Sequence, residues 1–157
     1  MLPQLNLPKS RPFISAIATL LVFTATLPAA MGSEIEFKVQ SLIDRSIAAY
    51  AAEGETAFAK ISDPQGSFRD GELYVFVLRG NLLMAHGGSP NRVGMPSITY
   101  DWDGTNLNER LSKTTSQQGA WITYHHTNPY SGRVEHKRSW LRRYDGKVFG
   151  AGYYNGG

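Results

Sequence analysis

The sequence has no cysteine. That excludes disulfides, thiolate metal sites, iron–sulfur clusters and a cysteine nucleophile. Charge is also sparse. Asp, Glu, Lys and Arg are 18% of the residues against 41% hydrophobic, the balance of a globular domain rather than a disordered chain. The net charge of +3 is too small for a nucleic-acid footprint. The signatures G-x-S-x-G, S-x-x-K and H-E-x-x-H are missing, so no enzyme activity is expected. The longest apolar run, Phe13 to Leu27, is shorter than the roughly 20 residues that cross a bilayer.

That run sits in a leader. Residues 1–32 hold Lys9 and Arg11, no Asp or Glu, then the apolar run, then the small residues Ala29, Ala30 and Gly32. Basic, apolar, then small is the order of a secretory signal peptide. Cleavage fits after Gly32 or after Ala30, with an uncleaved anchor as the alternative. Without the leader the net charge falls to +1, which removes nucleic acid as an expected partner. Residues 33–157 are then expected as one domain, periplasmic or secreted.

From Glu34 to Tyr50 the residues Ile35, Val39, Leu42, Ile43, Ser46, Ile47 and Tyr50 recur at helical steps. Ser33 is the expected N-cap and Gly54 the stop. A short helical piece over Thr56–Ile61 ends at Asp63-Pro64. The period then changes. Glu72–Leu78 and Leu82–His86 read as a hairpin around Arg79-Gly80-Asn81. Gly87–Pro96 reads as a loop, Tyr100–Gly104 as a turn, and 106–116 as a poor short helix. Gly119–His126, Val134–Tyr144 and Lys147–Tyr154 read as a three-strand meander. The expected fold is α+β: a long N-terminal helix packed on an antiparallel sheet of about five strands, in a PAS-like layout. The helix covers one face. The other, under the 87–118 connection, makes a pocket.

The strand over Val134–Tyr144 carries the most charge. Alternation puts Lys137, Ser139 and Leu141 on one side and His136, Arg138, Trp140 and Tyr144 on the other, without fixing which side faces the pocket. Either set offers a cation that suits a carboxylate. Tyr74, Phe76, Trp121 and Trp102 are candidate pocket walls, with core packing as the alternative. His125 and His126 are adjacent on a strand and point to opposite faces, and no ligand spacing joins the four histidines. No metal site and no cofactor are expected. Asp101-Trp102-Asp103-Gly104 is a turn that lacks the remaining ligands of a calcium loop. Gly150-Ala151-Gly152 lies within a strand, where close packing explains it better than a phosphate cradle.

The runs Asp70–Leu78 and Gly80–Gly87 resemble the first hairpin of single Cache domains, the extracytoplasmic sensor domains of bacterial receptors. Gly119–Tyr124, Asn128–Arg133, Lys137–Trp140 and Gly150–Tyr154 follow in that family's order. The resemblance spans about 35–155. The segment after Val93-Gly94 departs from it. Lys137 falls on the family's recurrent lysine, and Trp140 falls where Tyr is usual. The resemblance implies a small-molecule sensor, for a short organic acid or a similar metabolite, with Lys137, Arg138, Trp140, Tyr74, Trp121, Phe76 and His86 at the ligand. It implies a membrane histidine kinase or chemoreceptor as signalling partner. Because the sequence stops at Gly157, after the last strand, a free-standing module is expected. An interaction protein that kept the fold without a ligand is the alternative, and pairing of the helix with a second copy, as in sensor dimers, stays open.

Overall fold

The computed structural model describes residues 30–97 and 99–155. Residues 1–29, most of the expected leader, lie outside that range. Helix α1 spans Ala30–Glu53. It starts before Ser33, which therefore does not cap it; Ala30 and Met31 are good helix formers and extend the turn backward. Gly54, at φ +66°, ends it in the left-handed region. Helix α2, Ala57–Ser62, follows at once.

Six strands form one antiparallel sheet: β1 Arg69–Asp70, β2 Leu73–Arg79, β3 Leu82–His86, β4 Ala120–Thr127, β5 Val134–Tyr144 and β6 Lys147–Asn155. The path is β1-β2-β6-β5-β4, and β3 joins the same edge of β2 as β1, farther along it. The five expected strands are all present. The added one, β1, is two residues long, too short to leave a periodic signal. Among the described residues no helix is long and apolar enough to cross a membrane.

The sheet separates two apolar layers. On one face Val39, Leu42, Ile43, Ile47 and Tyr50 of α1 pack on Leu73, Val75, Val77, Phe149 and Ala151. The stripe read from the sequence is thus the buried face of the helix. Three polar contacts fix α1 along the sheet: Arg138 reaches Glu36 at 2.9 Å, Arg142 pairs with Asp44, and Tyr50 Oη donates to Asp145 at 2.6 Å.

The second layer holds Tyr74, Phe76, Leu78, Ile122, Tyr124, Leu141 and Val148. Helix α3, Leu107–Thr114, covers it with Leu107 and Leu111. Its Asn106 side chain accepts from the Glu109 N–H at 3.2 Å, a side-chain N-cap.

Candidate ligand-binding cavity

Strand β5 decides what faces the cavity. Lys137, Ser139 and Leu141 are buried on the α3 side. Register then sets Tyr124 of β4 and Tyr154 of β6 opposite Lys137. A cavity of about 30 Å³ lies among Phe76, Leu78 and Leu83, the α3 residues Leu107, Asn108 and Leu111, and Tyr124, His126, Lys137 and His86. Arg92, Ser97 and Thr99 of the long connection close it. That volume holds about two waters.

Lys137 is the floor. Its side chain is 1% exposed. Its Nζ donates to Tyr74 Oη at 2.6 Å and lies 4.0 Å from the Tyr74 ring centroid, 5.0 Å from Tyr154 and 5.3 Å from Phe76. Tyr154 Oη donates to the Thr127 carbonyl at 3.1 Å, so Tyr74 Oη donates to Tyr154 across 2.8 Å. The ammonium therefore heads a directed chain of hydroxyls that ends on the backbone. Among the described residues no carboxylate lies within ion-pair distance of it. Burial brings its pKa down to about 7.

Two histidines stand beside it as neutral imidazoles. Burial, then the Lys137 charge, hold His86 at about 3 and His126 at about 4. His86 Nδ1 accepts from the Ser89 N–H at 2.8 Å, which leaves Nε2–H as its donor. His126 Nδ1 donates to the Thr127 carbonyl at 2.9 Å, which leaves Nε2 as an acceptor. Asn108 is buried, and among the described residues its Nδ2 has no hydrogen-bond partner. Such an orphaned donor costs free energy until something accepts from it. The cavity wall thus carries two cations, Lys137 and Arg92, and no acid.

Of the residues expected at the ligand, the structure brings Lys137, Tyr74, Phe76 and His86 together here. Arg138, Trp140 and Trp121 lie on the opposite face, because strand alternation turns them toward α1. Arg138 sits 4.8 Å over the Trp121 ring and pairs with Glu36, and Trp140 packs 5.4 Å from Trp121. Trp102 lies outside the cavity as well, stacked on His125. Sequence reading passed over Tyr124, Tyr154, His126, Arg92 and Asn108. The two tyrosines follow from register once Lys137 is placed inward. Arg92 and Asn108 reach the cavity through the fold of the connection, which carries no periodic signal.

No protein-family model matches this chain, and no curated protein matches it significantly. Solved structures do share its fold. A methyl-accepting chemotaxis protein from Vibrio parahaemolyticus aligns with TM-score 0.61 at 15% identity, covering 78% of this chain and 87% of that one. A periplasmic sensor domain of a chemotaxis protein aligns with TM-score 0.64 at 24% identity, covering 82% and 100%. A Cache chemosensory domain described for its carboxylic acid recognition aligns with TM-score 0.58 at 18% identity, covering 80% and 93%. The chain has the α+β fold of a single Cache-type, PAS-like sensor domain.

Proposed function

We propose that this Cache-type domain is an exported sensor module whose cavity binds a short carboxylate over Lys137. One observation carries the reading: a buried ammonium without a counter-ion, in a cavity that adds Arg92 and the orphaned Asn108 amide and has no acid. An uncompensated buried charge is costly, and an anion placed against it removes that cost. Lys137 supplies the charge, Asn108 Nδ2 and His86 Nε2–H supply further donors, and Phe76, Leu107 and Tyr124 supply apolar wall. The carboxylic-acid recognition described for one structural neighbour supports the same class.

The closed cavity holds only about two waters, so a ligand of two or three carbons enters as the segments carrying Arg92, Ser97 and Thr99 shift outward. The occupied domain passes its state to a membrane histidine kinase or chemoreceptor, and catalysis plays no part. The test is calorimetric titration with acetate, propionate, pyruvate and lactate, beside the same panel of neutral amides. A carboxylate at 100 times its Kd should also add about 2.7 kcal/mol of stability. The Lys137→Met protein should stay folded and lose at least tenfold in affinity. Unchanged binding in that variant, or no binding by any carboxylate in the panel, would overturn the reading.

A further inference from the structure

A second group of polar side chains lies on the helix-side face of the sheet, beyond Trp121, where the turn over 100–105 meets edge strand β4. His125 of β4 and His136 of β5 are direct cross-strand partners, and Asn155 of β6 is the next residue in the same row. The two Nε2 atoms are 3.2 Å apart, and the ring centroids 4.1 Å apart. At this separation the rings stand side by side, so one ring must pivot for both Nε2 lone pairs to meet on one ion. Two nitrogens bound at 2.0–2.1 Å to one tetrahedral metal would be about 3.3 Å apart.

The rest of the geometry prepares His125 as a ligand. Its Nδ1 lies 2.9 Å from Asp101 Oδ1. That carboxylate also accepts from the His125 backbone N–H at 3.3 Å and pairs with Arg110 at 3.1 Å. The Trp102 N–H donates to the same Oδ1 at 2.9 Å, which holds the carboxylate in place. Asp101 fixes the Nδ1–H tautomer and leaves the Nε2 lone pair free, the outer-shell arrangement that orients metal-bound imidazole. Trp102 stacks on the His125 ring at 3.8 Å and 5°, which holds the ring's plane. A hollow of about 190 Å³ opens beside the pair, with Arg133 and Asn155 on its wall.

We propose that His125 and His136 form a divalent late-transition-metal site for Cu²⁺ or Zn²⁺, with Asp101 as the outer-shell carboxylate. Imidazole suits these ions, and Cu²⁺ binds tightest of the series. Among the described residues no three His, Asp or Glu side chains converge on one point. The protein therefore gives two donors, and solvent completes the coordination. The site is open and exchangeable, unlike a closed structural zinc site. On binding, His136 takes the Nδ1–H tautomer to free its Nε2. Spacing along the chain could not reveal this pair, because only the β4–β5 register joins positions 125 and 136.

The test uses the whole protein with CuCl₂ and ZnCl₂ as probes, followed by calorimetry, tryptophan fluorescence and electron paramagnetic resonance. One equivalent of Cu²⁺ should bind, quench the emission of Trp102, and show nitrogen coupling from two imidazoles. His125→Gln and His136→Gln should each lose at least tenfold in affinity, and Asp101→Asn about tenfold. Trp102→Phe should lose the quenching and keep the stoichiometry. Absence of saturable one-to-one binding, binding that survives both histidine variants, or a spectrum without two coupled nitrogens would overturn the site. The spectrum of the unaltered protein decides the matter even if a variant misfolds.

Discussion

Lys137 is destabilising where it stands. Its ammonium is out of water, bonded to one phenol and surrounded by rings, with no anion against it among the described residues. Replacing this ammonium by an apolar side chain of similar length removes the cost of holding a charge out of water. Lys137→Met should therefore raise the melting temperature of the ligand-free protein while abolishing stabilisation by carboxylates, both read in one thermal-shift series. A lower melting temperature would mean that the Tyr74 bond is worth more than the charge costs. The sequence exposed this residue only by half. Alternation partitions β5 into two sets, but the sign of the partition belongs to the whole sheet. Trp121 and Trp140 look equally suited to line a pocket, and the sheet gives both to α1.

At the scale of elements, β6 is the strand that makes the cavity face workable. Gly150 stands beneath the Phe76 ring and beside Leu141, and a Cβ at Gly152 would run into the Arg138 carbonyl oxygen and Ser139 Oγ. The bare backbone lets Phe76 lie across the sheet and brings β5 close enough for Lys137 to reach Tyr74. Gly152→Ala should cost about 1–3 kcal/mol through this overpacking, measured by urea unfolding. The strand-packing reading of Gly150-Ala151-Gly152 thus has a structural basis. Hairpins were legible because a tight turn between two β-rich runs is a local event. The helix stripe was legible because α1 buries one face over several turns. The connection over 87–106 was not. Its course is set by scattered backbone bonds such as Leu83 N–H to Met95 O at 3.1 Å and Ser97 N–H to Asn81 O at 2.6 Å, and no spacing in the sequence encodes them.

For the whole molecule, the buried titratable groups act in the same direction over most of the pH scale. His86 and His126 have pKa values near 3 and 4 in the fold, below the unfolded value of about 6.5. As pH falls below about 6.5 the unfolded chain takes up protons that the fold refuses, so stability is lost. Lys137, at about 7 in the fold against about 10.4 unfolded, extends this rise of stability with pH through the alkaline range. The trend reverses above about pH 10, where unfolded tyrosines ionise. Burial holds Tyr154 at about 12 and raises Tyr74 and Tyr124 further, so the fold keeps those protons. The ligand-free protein should therefore be most stable near pH 9–10, above the usual range of about 5–8. A carboxylate ligand needs the Lys137 ammonium and should raise its pKa. Affinity should stay level from about pH 5 to 7 and then fall by up to tenfold per unit, the slope of one linked proton. Titrations from pH 5 to 9 measure this directly. An affinity flat across pH 7, or rising with pH, would separate ligand binding from Lys137, whatever the stability curve shows.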